Sequence, residues 1–199
     1  MKRKAYFNKV AGIWDQKYGT PELESFLMKF VPQFGLKAGQ SVLDVGTGTG
    51  ILIPFLINAV GPSGSITAID YAENMVQICK TKCSHLRNVS VTLRDIEEPG
   101  LPLGHYDAIT CFGLFPHIVE KGKVLRHMNQ LLKSGGKLII AHALSSDEIR
   151  MRHKIAASPV FYDALPEKHV MNGLLKQAGF VNVHIEDKPG RYLCTSTKS

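Results

Sequence analysis

Three glycines occupy alternate positions directly after a short apolar run of the chain. They are Gly46, Gly48 and Gly50, and the run before them ends in an acid, Asp44. Glycine tolerates positive φ and has no Cβ, so the backbone N–H groups of such a loop can approach a ligand closely. A predicted helix follows, and the N-terminal end of a helix attracts negative charge. The stretch therefore predicts a loop that holds a nucleotide-like ligand.

Two further acids follow predicted strands. Asp70 lies twenty residues after Gly50 at the end of the second predicted strand, and Asp95 ends the third. A carboxylate at the first position can accept hydrogen bonds from ribose hydroxyls, and one at the second can accept from the exocyclic amine of adenine. Acids after strands also cap helices, and this alternative stays open for both residues.

The spacing of the glycines separates two classes of nucleotide-binding protein. Dinucleotide sites prefer G-x-G-x-x-G and have no obligatory acid two residues before the first glycine. Here the pattern is D-x-G-x-G-x-G. The spacing thus disfavours a dinucleotide-dependent oxidoreductase.

The elements that must position these residues alternate between strands and helices. Five short segments rich in Val, Ile, Leu and Thr predict strands that are separated by room for crossover helices: 41–46, 65–70, 89–95, 106–113 and 136–143. Two more predicted strands, 181–187 and 191–197, are joined by only three residues, which predicts an antiparallel hairpin. The fold class is therefore α/β, a Rossmann-like doubly wound seven-stranded sheet, mostly parallel with an antiparallel C-terminal hairpin strand.

Length and composition predict a single domain. The chain has 199 residues, of which 44% are hydrophobic, enough for one substantial core. We assign residues 1–35 to an N-terminal helical segment that acts as a lid or contacts substrate. Residues 36–199 form the cofactor-binding core, with an insert near 144–168.

The same features bear on partners and location. No stretch is apolar enough to span a membrane, and no apolar segment follows the charged N-terminus, so we expect a cytoplasmic protein. Its four cysteines fit neither a disulfide framework nor a zinc pattern, which favours reduced thiols. The net charge is +7, but the basic residues are spread along the chain. A nucleic-acid partner is therefore disfavoured.

The order of these motifs resembles class I S-adenosylmethionine-dependent methyltransferases over about residues 5–197. The matching stretches are VLDVGTGTG, AIDYAENMVQICK, RDIEE, YDAITCFGLFPHI, VLRHMNQLLKSGGKLII and LLKQAGFVNVHI. The N-terminal YFNKVAGIWDQKY is similar to the small-molecule enzymes of ubiquinone and menaquinone biosynthesis. The resemblance implies transfer of a methyl group from S-adenosyl-L-methionine to a small-molecule acceptor, with S-adenosyl-L-homocysteine as the product.

The resemblance also implies a set of cofactor-binding residues. Asp70 would hold the ribose, Asp44 the amino group, and the backbone near Cys111 the methionine end. Met75 and Cys111 are of the type that also fills a core, and this alternative stays open. The full implied set is Tyr6, Trp14, Asp44, Gly46, Thr47, Gly48, Gly50, Asp70, Tyr71, Met75, Asp95, Ile96, Cys111 and Phe112.

Aromatic residues of the N-terminal segment recur at helical spacing. Tyr6, Phe7, Trp14 and Tyr18 predict either a lid over the cofactor, with Tyr6 and Trp14 closing the pocket, or an ordinary packing face. We favour the lid.

Histidines supply the candidate groups for the acceptor side. His142 ends the fifth predicted strand, and His117 follows the fourth. Imidazole titrates near neutral pH, so these two residues are candidates to orient or deprotonate the acceptor. A metal site formed by His142 and His153, with His117 as a further ligand, is a weaker alternative. In the plainest alternative, His142 only bonds the backbone and His153 is solvated.

Besides the dinucleotide-dependent oxidoreductase that the glycine spacing disfavours, two other functions are weighed against a small-molecule methyltransferase. An RNA or protein methyltransferase is compatible with the basic charge, but the chain has neither the Asn-Pro-Pro-aromatic run nor the Pro-Cys nucleophile of nucleic-acid enzymes. A non-catalytic module that binds the cofactor or a metal is the third alternative. We favour in-line methyl transfer, since alignment of the acceptor with the methyl supplies much of the rate.

Overall fold

The computed structural model describes residues 2–155 and 159–199. Met1 of the predicted lid and residues 156–158 of the predicted insert lie outside the described residues. The chain divides into two compact units, Met1–Glu98 and Pro99–Ser199. The single domain expected from the sequence therefore stays a prediction.

Seven helices and seven strands make up the fold of the described residues. The helices are α1 (Lys2–Tyr18), α2 (Pro21–Phe30), α3 (Ile53–Val60), α4 (Glu73–Cys83), α5 (Lys121–Leu131), α6 (Ser146–Ile155) and α7 (Lys168–Gln177) among the described residues. The strands are β1 (Ser41–Val45), β2 (Ser65–Asp70), β3 (Val89–Leu93), β4 (Tyr106–Phe112), β5 (Leu132–His142), β6 (Phe180–Lys188) and β7 (Arg191–Lys198) within the same residues. Short 3₁₀ helices cover Val31–Phe34 and Phe115–His117.

The strands belong to one sheet with the order β3-β2-β1-β4-β5-β7-β6. Pairing is parallel in β1–β2, β2–β3 and β4–β5, and antiparallel in β5–β7 and β6–β7. The predicted seven-stranded sheet and its antiparallel C-terminal hairpin are confirmed. The hairpin forms because Pro189 and Gly190, with φ of 78° at the glycine, leave room only for a turn.

In the first unit, β1 and β2 place the glycine loop and Asp70 side by side. The two strands pair in register up to Val45 and Ile69, so the loop after β1 starts next to the last residue of β2. Both strands are apolar and mostly buried, as expected for parallel strands covered on both faces. The sequence pattern of the two strands thus determines where the loop meets the acid.

In the second unit, a capping box begins α6 after the end of β5. The Ser145 Oγ accepts from the backbone N–H of Glu148 at 3.3 Å, and the Glu148 carboxylate accepts from the Ser145 N–H at 2.7 Å. This reciprocal pair satisfies two donors at the start of the helix. The Ser-Ser-Asp-Glu stretch at residues 145–148 thus starts the helix through a local sequence pattern.

Two predicted strand boundaries are wrong by more than one residue. The third strand ends at Leu93, where its pairing with Asp70 of β2 ends, so Asp95 lies two residues beyond the strand. The fifth strand begins at Leu132 and not at residue 136. Its pairing with β4 shifts register after Tyr106, and this irregularity takes up the additional residues.

Among the described residues, no helix combines the length and the apolar character that crossing a bilayer requires.

Candidate functional site

The glycine loop takes a backbone conformation that other residues rarely adopt. Gly46, Gly48 and Gly50 have φ of 70°, 56° and 86°, values that are strained for side chains with a Cβ. The N–H groups of Gly46 and Thr47 both donate to the carbonyl of Ile69, at 2.9 and 3.0 Å. The loop therefore folds across the end of β2.

The carboxylate of Asp70 holds this loop in place through a hydrogen bond. One oxygen accepts from the N–H of Gly48 and the other from the N–H of Ala72, both at 2.9 Å. Burial raises the pKa of Asp70, the backbone N–H groups oppose the rise, and the charge of Asp95 adds to it. A carboxylate has about four acceptor positions, so hydroxyl donors of a ligand can still bond to it and offset its desolvation.

A cysteine lies against the same loop and was not predicted as part of the site. A Cβ on Gly50 would come within 2.9 Å of the Cys79 sulfur. Burial, and then the neighbouring Cys83 and Asp44, raises the pKa of the Cys79 thiol. All four cysteines of the chain are buried free thiols, as expected. The packing of Cys79 requires glycine at position 50 independently of any ligand.

The N-terminal helix α1 covers the loop through polar and aromatic contacts. Its Asp15 accepts a hydrogen bond from the Thr49 hydroxyl and pairs with Lys82 at 2.8 Å. The indole nitrogen of Trp14 lies 3.9 Å from the place of a Cβ on Gly48. Helix α1 therefore lies over the glycine loop, whereas the opening and closing of this segment as a lid stay a prediction.

A second set of bonds fastens the start of α1 to the start of α4. Asn8 accepts from the backbone N–H of Asn74 at 2.9 Å and donates to Glu73 at 2.7 Å. The ring of Phe7 contacts both Trp14 and Tyr71, with centroids 5.9 and 6.3 Å apart. The N-terminal segment is thus anchored on either side of the glycine loop.

The other residues predicted for the first unit divide between pocket and core. Met75 is fully buried with Ala11 and Ala72 against α1, the core role that the sequence left open. Asp95 accepts from the N–H of Glu97 at 3.0 Å and so closes a turn. Asp44 and Thr47 are buried beside the loop, Ile96 is buried, and Tyr6 and Tyr71 are half-buried.

In the second unit, Cys111 and Phe112 end β4. Cys111 is fully buried and Phe112 is half-buried. The next residue, Gly113, donates its N–H to the carbonyl of Ala141 at 3.0 Å. The side chain of Cys111 therefore belongs to the core, and only its backbone is available for the methionine end of a cofactor.

His142 is buried at the end of β5. Its Nε2 has no hydrogen-bond partner among the described residues. Burial, and then the charges of His117 and His153, lowers the pKa of His142 to about 3. An imidazole whose pKa is lowered by burial stays neutral at physiological pH and binds protons weakly. The lowered pKa therefore disfavours His142 as the base and leaves it able to accept a hydrogen bond.

A buried acid joins the two other histidines. His117 Nδ1 lies 2.8 Å from a carboxylate oxygen of Asp163, and His153 Nδ1 lies 2.6 Å from the Asp163 carbonyl oxygen. The two imidazole rings are 5.1 Å apart. The sequence predicted that the histidines lie close together but did not identify Asp163, because a single acid in the insert is not part of a recognisable motif.

The metal alternative gains no support from this cluster. Within residues 2–155 and 159–199, no three His, Cys, Asp or Glu side chains are arranged to hold a metal ion. Both Nδ1 atoms that face Asp163 are used in hydrogen bonds. The arrangement is instead that of imidazoles oriented by a carboxylate and a carbonyl.

Comparison with known proteins agrees with this geometry. A family model described as a methyltransferase domain matches residues 36–188. Demethylmenaquinone methyltransferase of Staphylococcus aureus is 28% identical over 186 residues, an alignment that covers 81% of this chain and 76% of that protein.

Solved structures share the fold over most of the chain. A SAM dependent methyltransferase from Aquifex aeolicus is 25% identical, covers 98% of both chains and has a TM-score of 0.74. Phosphoethanolamine N-methyltransferase 2 of Haemonchus contortus, solved with S-adenosylhomocysteine, has a TM-score of 0.78 over 98% of this chain and 58% of its own. At 14% identity, the second likeness concerns the fold alone.

Thr49→Val should loosen α1, because it removes the hydroxyl that bonds to Asp15. A hydrogen bond to a charged group contributes about 1.5 kcal/mol or more, so amide exchange over residues 2–18 should accelerate about tenfold, with a change in Trp14 fluorescence. Lys82→Met is the control, since it breaks only an exposed ion pair of small value. Equal exchange in both variants would contradict this role of Thr49. If neither the amide exchange over residues 2–18 nor the Trp14 fluorescence changes when cofactor or product is added, the lid prediction is contradicted.

His142 should make the protein sensitive to acid. Its pKa is about 3 when folded and about 6.5 when unfolded, so its stabilising effect is complete above pH 6.5 and is lost as the pH falls. The expected loss is at most about 1.4 kcal/mol per pH unit. Urea unfolding between pH 7 and 4 should show a smaller pH slope for His142→Leu than for the parent, while exposed His169→Leu keeps the parent slope. Identical slopes in all three proteins would refute the burial effect.

Proposed function

Because the chain belongs to the methyltransferase domain family and is an S-adenosylmethionine-dependent methyltransferase, we propose that it methylates a small-molecule acceptor by in-line displacement. The main support for a cofactor site is the Asp70 carboxylate, which is buried next to the glycine loop and hydrogen-bonded to the backbone of Gly48 and Ala72. The curated relative is named for demethylmenaquinone, which supports a small acceptor.

The residues of the first unit fit the chemistry of the cofactor. S-adenosylmethionine presents hydroxyl, amine and ammonium donors, and the site offers the carboxylates of Asp44, Asp70 and Asp95 as acceptors. The missing Cβ at Gly48 leaves space below the Trp14 indole. Acceptors and space therefore match what the ligand requires.

Each part of the ligand has residues that would hold it. We propose that Asp70 binds the ribose hydroxyls, Asp44 the amino group, and Asp95 with Ile96 the edge of adenine. Hydrophobic contact with adenine would come from Tyr71, whereas Met75 is buried in the core against α1. The remaining contacts would come from Tyr6, Trp14, the loop residues Gly46, Thr47, Gly48 and Gly50, and the backbone of Cys111 and Phe112.

The protein has to do little covalent chemistry itself. When bound, the cofactor supplies a methyl group on a sulfonium, which already carries a good leaving group. The protein's task is to orient the acceptor atom in line with that methyl, and orientation alone provides much of the acceleration. A base is needed only where the acceptor loses a proton.

Asp70→Ala should weaken cofactor binding by about 1 to 3 kcal/mol, because it removes the hydrogen bonds to the ribose hydroxyls and the support of Gly48. Calorimetric titration with S-adenosylmethionine, compared with NAD, measures the effect in the folded variant. Asp107→Ala is the matched control, since it removes a carboxylate that pairs with Lys133 outside the proposed site. Unchanged affinity in Asp70→Ala would refute the assignment.

The acceptor is tested by transfer of label from methyl-labelled cofactor. Wild-type protein, with Asp70→Ala as the comparison that binds the cofactor more weakly, is incubated with a panel of phenols, quinols, amines and thiols, and separately with transfer RNA and bulk protein. We expect label on a small molecule only. Label recovered solely on RNA or protein would overturn the small-molecule proposal while leaving methyl transfer established.

A further inference from the structure

We propose that the C-terminal half of α6 and the residues that follow it form a surface that binds an anionic lipid bilayer. The inference goes beyond the proposed function, because it concerns a surface of the second unit alone and requires no methyl transfer. We call this surface the bilayer patch, and it consists of Met151, Arg152, Lys154, Ile155, Phe161 and Tyr162.

The patch contains large apolar side chains that the fold leaves in solvent. Met151 and Ile155 of α6 are 57% and 82% exposed, and Phe161 and Tyr162 are 38% and 90% exposed. Single exposed apolar residues are ordinary on protein surfaces. Four of them within residues 151–162 are a concentration that is typical of an interaction site.

Helical geometry places two of these side chains on the outer side of α6. Successive residues of a helix are about 100° apart, so Met151 and Ile155, one turn from each other, form a ridge along one side. Ile149 is buried and lies about 160° from Met151 around the helix axis. Arg152 and Lys154 lie about 80° to either side of the ridge. The exposed side of the helix is thus an apolar ridge with a cation on each flank.

A hydrogen bond from α6 places the two aromatic residues next to its last turn. The carbonyl of Asp163 accepts from Nδ1 of His153 at 2.6 Å. Asp163 follows Tyr162 directly, and its N–H donates to the carbonyl of Val160 at 2.9 Å, which closes a turn over Phe161 and Tyr162. Their rings meet edge to face, with centroids 4.7 Å apart. The aromatic pair therefore adjoins the helix that carries the apolar ridge.

The start of α6 is held on the β6–β7 hairpin. The Glu148 carboxylate accepts from the N–H of Gly190 at 2.9 Å, and the Asp187 carboxylate accepts from the N–H of Ser146 at 2.9 Å. Rotation of the helix to bury its exposed ridge would break these bonds and expose Ile149. The ridge can therefore be buried only by a partner.

The charge around the ridge is complementary to an anionic surface. Residues 149–162 include three cations, Arg150, Arg152 and Lys154, and no acid. The acids of α6 lie at its other end, where Asp147 pairs with Arg150 and Glu148 accepts from backbone N–H groups. Positive charge thus lies at the same end of the helix as the exposed apolar side chains.

This combination matches a bilayer better than a protein groove. In an interfacial helix, apolar side chains enter the boundary of the acyl chains, while Lys and Arg extend their heads to lipid phosphates. Aromatic rings such as that of Tyr162 favour the level of the headgroups. Side chains as exposed as Ile155 and Tyr162 stand out from the surface, and a fluid bilayer accommodates them without a matching pocket.

The first test is flotation of the full chain with vesicles, without cofactor or acceptor. We expect binding to vesicles of phosphatidylcholine and phosphatidylglycerol in equal amounts, and weaker binding to phosphatidylcholine alone or at high salt. Lys154→Gln should lower the partition coefficient about fivefold, and Ile155→Ser about tenfold.

Two exposed residues of the same unit provide the matched controls. Lys123→Gln on α5 removes the same charge as Lys154→Gln, and Leu103→Ser removes an apolar side chain that is 69% exposed. Both should bind vesicles like the wild-type protein. No binding to the mixed vesicles, or equal losses in the patch variants and the controls, would overturn the inference.

The second test measures whether the patch enters the acyl region. On mixed vesicles, Tyr162→Trp should add fluorescence that lipids with brominated acyl chains quench, and Leu103→Trp should not, with Trp14 as the common background. Absence of quenching in bound Tyr162→Trp would reduce the contact to surface charge and overturn the inference. A concentration-dependent dimer that Tyr162→Ser abolishes, without vesicle binding, would assign the patch to a second copy of the chain and overturn it as well.

Discussion

The carboxylate of Asp70 is the constraint on which the first unit depends. It accepts from Gly48 in the loop after β1 and from Ala72 before α4, and so joins two connections that the chain separates by a helix. The Ile69 carbonyl adds two bonds from the same loop. This geometry requires positive φ at the three glycines, and only glycine adopts such φ values without a steric penalty. The same carboxylate is buried and still has acceptor positions for the hydroxyl donors of a ligand.

The covering helix depends on that loop in turn. Thr49 belongs to the glycine-rich stretch and offers its hydroxyl to Asp15 of α1, while the Cys79 sulfur fills the space on the other side of Gly50. The loop therefore packs against Cys79 of α4 and is hydrogen-bonded to Asp15 of α1. A ligand that shifts the glycine loop would therefore also shift α1, because the Thr49 hydroxyl is hydrogen-bonded to Asp15.

The second unit repeats the use of one buried acid as an organising centre. Asp163 brings together His117 after β4 and His153 on α6, and the burial of His142 at the end of β5 leaves that residue neutral beside them. A buried charge is stable only when it is hydrogen-bonded, and here the Asp163 carboxylate bonds to the imidazole of His117. The acid thereby fixes the orientation of both imidazole rings, which the types of the residues alone do not determine.

The sequence by itself determined the glycine loop, the acid at the end of β2, the succession of strands along the chain and the start of α6 near Ser145, because each is a local pattern in which neighbouring residues set the backbone. It misplaced Asp95 relative to β3, whose end depends on pairing with β2. Only the tertiary structure decided that Asp15 bonds to Thr49, 34 residues away, and that Asp163 bonds to His117, 46 residues away. These contacts join segments with no common periodicity, and their distances follow from how helices and loops pack on the sheet. The same packing decides burial, which makes His142 a poor base and Met75 a core residue.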